Sequence, residues 1–132
     1  MSLNSQLATM LSIIQNGQRA HLEMVSVKRN KFSLPILGLL YKEGLISGYS
    51  LEKEGSFIKD QIWLKYSQGK PVIRELKCIS KPGKPVYKTI EELKLYKDVS
   101  TLYVVSTVRG LINLQEALKE GLGGVLICKI SQ

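Results

Sequence analysis

Apolar positions change period several times along this chain, and each change marks an element. Over residues 5–16, Leu7, Met10, Leu11 and Ile14 fall at i, i+3, i+4 and i+7, one helical stripe with Asn16-Gly17 as its expected stop. Residues 23–28 alternate through Met24, Val25 and Val27 and predict a short strand, after which Lys28, Arg29, Asn30 and Lys31 form a basic knot. Ser33 then stands as a helix cap, with Pro35 tolerated in the first turn. Ile36, Leu37, Leu40 and Tyr41 give that helix an inward face, and Gly44 ends it. Residues 46–52 and 57–66 read as two strands around the turn Lys53-Glu54-Gly55-Ser56. Ile62, Leu64 and Tyr66 share a face, while Trp63 points the other way, toward a second lobe.

Turn chemistry at Ser67-Gln68-Gly69-Lys70 interrupts the pattern and marks a lobe boundary. Beyond it, residues 71–79 predict one strand, and Ser80-Lys81-Pro82-Gly83-Lys84-Pro85 a turn-rich loop leading to a short extended pair, Val86-Tyr87. Thr89-x-x-Glu92 fits a capping box that opens a brief helical turn. Residues 102–106 predict a buried strand, Asn113-x-x-Glu116 a second cap for a helix over 114–120 closed by Gly121, and residues 125–130 a last strand. The expected class is therefore α+β, with an N-terminal α-β-α-β-β lobe over 1–66. A mostly-β C-terminal lobe with one or two short helices follows over 67–132.

Charge narrows the choice of function. The 132 residues carry 19 Lys and Arg against 11 Asp and Glu, a net +8, at 44% hydrophobic content. Six cations (Lys70, Arg74, Lys77, Lys81, Lys84, Lys88) against Glu75 put +5 of that excess between positions 70 and 88. Nucleic acid is the expected partner; a solvated basic edge that deters sheet aggregation, or attraction to a membrane surface, are the competing readings from charge alone. No apolar run approaches the roughly 18 residues a membrane span needs, so a soluble chain without a membrane partner is expected. The opening Met1-Ser2-Leu3-Asn4 lacks the pattern of a secretory signal, and cations are too sparse there for an organelle-targeting peptide. Either the chain is used where it is made or a presequence has been removed.

Catalysis is poorly supplied. Cys78 and Cys128 lie far apart in apolar stretches and read as buried small hydrophobes, and His21 reads as a surface or loop residue. No zinc-ligand spacing and no phosphate-binding glycine motif occurs, so no metal, cofactor or small-molecule substrate is expected. Ser106 and Cys128 are the nearest approach to nucleophiles, but neither has a base within sequence reach.

Three loops suit contact better than packing. Ser106-Thr107-Val108-Arg109-Gly110 offers two hydroxyls, a guanidinium and a glycine that lets backbone approach. Gly121-Leu122-Gly123-Gly124 can bring bare amides near a sugar-phosphate chain, and Tyr87 offers a flat face to an unpaired base. Taken singly, such glycines are usually caps and such hydroxyls usually turn formers.

Their order is more specific. Ser80-Lys81-Pro82-Gly83-x-x-Val86-Tyr87, then Ser106-Thr107-x-Arg109-Gly110-Leu111-Ile112, then Gly121-Leu122-Gly123-Gly124 and a terminal strand resembles ribosomal protein S8 of the small subunit. Leu7-Ala8-x-Met10-Leu11, Asn30-Lys31-Phe32 and Leu40-x-x-Glu43-Gly44-Leu45-Ile46 resemble the same family's opening helix, basic loop and second helix. The resemblance implies a structural, non-enzymatic protein that binds the central domain of small-subunit rRNA, supports platform assembly and translation, and touches neighbouring ribosomal proteins. Some bacterial members also repress translation of their own messenger. Carried over, the RNA-facing residues are Asn30 and Lys31 in the first lobe, and Lys81, Lys84, Tyr87, Ser106, Thr107, Arg109, Gly110, Gly123 and Gly124 in the second.

Where the family usually has a further serine this chain has Val108, where it has an acid this chain has Val125, and two common arginines of the first helix are Ile13 and Gln15. Such drift suits an organellar ribosome, mitochondrial before plastid, and that is the expected location. The alternative function is a basic interaction module for an acidic protein partner.

Overall fold

The stripe on the first helix works as expected, but the helix does not stop where glycine suggested. In the computed structural model, which describes residues 3–81, 83–98 and 100–132, α1 runs over Leu3–Arg19. Leu7, Met10, Leu11 and Ile14 are all buried, each contributing about 2 kcal/mol of apolar burial. Gly17 sits inside the helix for lack of room. A Cβ there would lie 2.5 Å from Val25 Cγ1 and 3.0 Å from Leu64 Cδ1, so glycine is what lets the helix press onto the sheet. His21 is exposed beyond the helix, its ring stacked 5.3 Å from that of Tyr66.

Strand β1 (Met24–Lys28) leads into α2 (Ser33–Lys42). Ser33 is the buried first residue of that helix, and Phe32 at the cap position makes no side-chain cap. The Asn30 carboxamide oxygen accepts from Phe32 N at 2.8 Å instead, while Ser33 Oγ donates to the Asn30 carbonyl at 2.8 Å. Tyr41 is not on the inward face. It is 56% exposed and meets Tyr49 edge-on at 6.1 Å, while Leu39 takes the buried place.

Strands β2 (Ile46–Glu54) and β3 (Phe57–Leu64) form a longer hairpin than the turn residues suggested, because Lys53 and Glu54 still pair with Ile58 and Phe57. The sheet order is β1-β3-β2, all antiparallel. Trp63 faces away from the core that joins the two halves, since neighbouring Ile62 and Leu64 point into it from the opposite side of this sheet. β4 (Tyr66–Ser67) and β5 (Lys70–Pro71) make a tight hairpin whose central Gln68 and Gly69 take φ of 52° and 76°.

The single strand expected over 71–79 is broken. Ile73 N donates to the buried Gln18 side chain and Arg74 N to the Ser131 carbonyl, so the chain bends away before β6 (Glu75–Cys78) begins. After β6 come β7 (Tyr87–Lys88) and the short helix α3 (Ile90–Leu93), opened by the expected Thr89/Glu92 capping box. β8 (Thr101–Thr107) and β9 (Gly110–Asn113) then form a hairpin, where the sequence reading had one strand and a loop. Asn113 caps α4 (Leu114–Glu120), accepting from Glu116 N at 2.7 Å, and Gly121 closes it at φ 69°. The chain ends in β10 (Gly124–Ser131).

The second sheet is ordered β6-β10-β8-β9, with β7 also pairing β10. β6 and β7 share one edge of β10, and buried Ser80 bridges the gap between them. Its hydroxyl donates to the Leu126 carbonyl at 2.6 Å and accepts from Val86 N at 3.0 Å. The main core draws on both halves of the chain, joining Leu7, Ile14, Leu40 and Ile62 to Leu76, Leu102, Val104 and Ile130. A smaller core of Leu93, Tyr103, Val105, Leu114, Ala117 and Leu126 lies under α3 and α4. The α+β class and the α-β-α-β-β order of the first half are as expected. Among the described residues no helix is long and apolar enough to cross a membrane.

Candidate nucleic-acid interface

Strand register gathers residues that the sequence scatters. Tyr87 in β7 pairs with Val125 in β10, Val125 with Ser106 in β8, and Ser106 with Leu111 in β9. Paired residues of adjacent strands point to one face, so Tyr87, Val125 and Ser106 form a row across the sheet. The row floors an open cleft of about 630 Å³, walled by Lys88, Thr89, Glu92, Thr107, Val108, Gly123 and Gly124.

Each group there has its own freedom. Tyr87 is 74% exposed, its ring open to stacking. No described residue takes the Ser106 hydroxyl, which is half-buried in the cleft and free to donate or accept. Thr107 is committed: its hydroxyl donates to the Gly110 carbonyl and accepts from Arg109 N, both at 3.1 Å, and so shapes the hairpin turn. Val108 stands at the tip of that turn, 93% exposed.

The glycines of the cleft are there for the fold. A Cβ on Gly124 would fall 2.2 Å from the Ser106 carbonyl oxygen, and one on Gly123 2.8 Å from that of Lys88. Both spots are filled by backbone, so any side chain would push β10 off β7 and β8. That close approach also keeps the cleft wall low.

Arg109 points elsewhere. Its guanidinium pairs with Glu120 and lines a separate depression with Lys42, Asn113 and Lys119. Gly110 is exposed beside it in the turn, at φ 101°. Lys81 and Lys84 face each other across a tight turn held by two mutual backbone hydrogen bonds, at 3.2 and 2.8 Å, and both are exposed. Pro82, between them, lies outside the described residues. The Asn30 side chain is spent on its own turn, whereas Lys31 is exposed, its ammonium 5.1 Å from the Phe32 ring centroid. Neighbouring Arg29 is held by buried Asp60 at 2.5 and 3.1 Å; the hydrogen bonds it donates to this carboxylate push the arginine pKa up.

The structure thus brings Tyr87, Ser106, Thr107, Gly123 and Gly124 together and leaves Lys81/Lys84, Arg109/Gly110 and Asn30/Lys31 as three outlying groups. Sequence reasoning missed Lys88, Thr89 and Glu92 in the cleft wall. The capping box identified the last two as helix formers, but only the pairing of Lys88 with Gly124 shows which surface they border. Glu92 sits below the usual carboxylate range because its charged form accepts from the Thr89 backbone N–H.

The family model for ribosomal protein S8 matches residues 5–131. The chain belongs to the ribosomal protein S8 family. It is similar to the small ribosomal subunit protein uS8 of Caulobacter vibrioides, 37% identical over 131 residues that cover 98% of this chain and 99% of that protein. The uS8 proteins of Orientia tsutsugamushi and Vibrio cholerae are each 39% identical, covering 98% and 99% of this chain and 99% and 100% of theirs. An S8-family chain is a structural ribosomal component and no enzyme. These relatives are bacterial; they give no support to the organellar location expected from Val108, Val125, Ile13 and Gln15 and lean against it.

Proposed function

We propose that this S8-family protein binds the central domain of small-subunit rRNA through the Tyr87–Val125–Ser106 cleft, and thereby supports platform assembly and translation. The observation that carries the reading is the coincidence in one row of an open aromatic face, a free hydroxyl and low backbone. Those are the groups that stack on an unpaired base, read a ribose or base edge, and admit a sugar-phosphate chain closely. Lys88 on the wall, with Lys81 and Lys84 on the neighbouring turn, supplies phosphate neutralisation. In this reading residues 67–132 form the RNA-binding lobe, while residues 1–66 add Lys31. Arg109 contributes only by leaving Glu120, and Asn30 acts by fixing the loop that presents Lys31.

Contact with neighbouring ribosomal proteins falls to the first lobe, where Leu51, Phe57 and Ile58 leave apolar surface exposed near the β2–β3 hairpin end.

Binding of a central-domain rRNA fragment, measured across a salt series, tests the reading. With about six phosphate contacts, log affinity falls against log salt with a slope of roughly −4 to −5. A salt-independent affinity, or equal affinity for a scrambled fragment, overturns it.

A further inference from the structure

Cys78 and Cys128 play no part in the cleft, and their separation in sequence hides their placement. β6 and β10 run antiparallel with Cys78 directly opposite Cys128. Ile79 N donates to the Ile127 carbonyl at 2.8 Å, which makes 79 and 127 a hydrogen-bonded pair and the two cysteines the adjacent non-hydrogen-bonded pair. In such a pair the Cα atoms stand about 4.5 Å apart and the side chains lean closest, within the roughly 4.4–6.8 Å that a disulfide spans. Both thiols also point to one face. Cys128 belongs to the main core with Leu76 and Ile130, and Cys78 packs against that same core. Negative charge on Cys78 pushes the Cys128 thiol further up, as expected of close neighbours.

We propose that Cys78 and Cys128 are an oxidation site: a cross-strand pair that closes to a disulfide when the protein meets a small-molecule disulfide oxidant. Accessibility sets the order of events. Cys128 is fully buried, whereas Cys78 is half-buried on the edge strand, so the oxidant reaches Cys78 first. Cys78 loses its proton and its thiolate attacks one sulfur of the oxidant, forming a mixed disulfide and releasing one small thiolate. Cys128 then gives up its proton and attacks Cys78 Sγ, expelling the second small thiolate. The two protein thiols are oxidised to one disulfide, and the oxidant is reduced to two small thiols that take up the two protons.

Burial pushes both cysteine pKa values up, so the thiolate is scarce near neutrality and closure is slow there. In a reducing cytosol the pair rests as the dithiol, and the bond records oxidising conditions. It ties β6 to β10 two residues before Ser80, at the base of the turn that carries Lys81 and Lys84.

The test treats the folded full-length chain with oxidised glutathione and follows free thiols, intact mass and peptides mapped without reduction. The expected product is a monomer lighter by two hydrogens, free of bound glutathione, with a peptide joining Cys78 to Cys128 that dithiothreitol separates. Its formation rises roughly tenfold per pH unit below the thiol pKa. Its urea midpoint exceeds that of the reduced protein, because the bond closes a loop of about 50 residues. Cys78→Ser treated alike forms no bond and shows no such increase. Glutathione retained on Cys78, covalent dimers, or closure only after unfolding in urea each overturn the proposal.

Discussion

Ser106 and Thr107 are adjacent and chemically alike, yet their surroundings assign them different work. The Ser106 hydroxyl takes no partner among the described residues and faces the cleft, so the fold does not need it. Ser106→Ala should weaken binding of the rRNA fragment by about 1 kcal/mol, roughly five-fold, one lost hydrogen bond, with the urea midpoint unmoved. Thr107 holds the hairpin turn through Gly110 and Arg109, so Thr107→Ala should lower both stability and affinity, each by about 1 kcal/mol. Paired urea melts and binding isotherms check both; a stability loss in the Ser106 variant would place its hydroxyl in the fold. Gly124 marks the opposite extreme. Gly124→Ala forces a methyl into the Ser106 carbonyl, and about 2–3 kcal/mol of stability should be lost in urea melts. Sequence alone read this glycine as bare backbone awaiting RNA. Its decisive neighbour is 18 positions away, across a strand pairing that no local pattern encodes.

Elements whose signals are local were legible, and those set by tertiary contacts were not. The Thr89/Glu92 capping box, the Asn113 cap, the alternating strand β1 and the Leu7–Ile14 stripe each rest on nearby residues, and each formed as expected. Ser33 and the 53–56 turn were misread against near neighbours, while other misread positions answer to residues outside their own element. Gly17 yields to Val25 and Leu64, the break near Ile73 to Gln18, and the Tyr41 face to Tyr49. Helix α3 shows how a local device carries a pH dependence. The Glu92 carboxylate accepts from Thr89 N at 2.9 Å, which lowers its pKa in the folded chain. A lowered carboxylate stabilises above its unfolded pKa, about 4.3, and that contribution disappears as pH falls through the folded value. The protection factor of the Thr89 amide, its exchange rate set against the intrinsic rate at each pH, should therefore fall on acidification below the ordinary carboxylate range, and Glu92→Gln should remove that step. An unchanged acid profile in the variant would assign the protection to packing of Leu93 instead.

At the scale of the whole molecule, two larger sheets and one main core are in tension. The two larger sheets end and begin at Leu64 and Glu75, and we propose that they act as separate lobes toward RNA and protein neighbours. The apolar interior does not respect that division. α1 belongs to the first lobe, yet it packs against β6 of the second, and buried Gln18 reaches from it to Lys65 and Ile73. A lobe that lost its partner would expose Leu7, Ile14, Leu76 and Ile130 together, and each such side chain costs about 2 kcal/mol to uncover. Only the smaller core under α3 and α4 lies within one half, and the main core needs both, so the chain should unfold in one transition. Far-ultraviolet circular dichroism reports both sheets, while Trp63 fluorescence reports only the first, because the single tryptophan lies in β3. Their urea midpoints should coincide, and Ile14→Ala should shift both together by about 3 kcal/mol of stability. Separated midpoints would mean that the lobes melt independently. The RNA-binding half could then be studied as a fragment, which the shared core otherwise forbids.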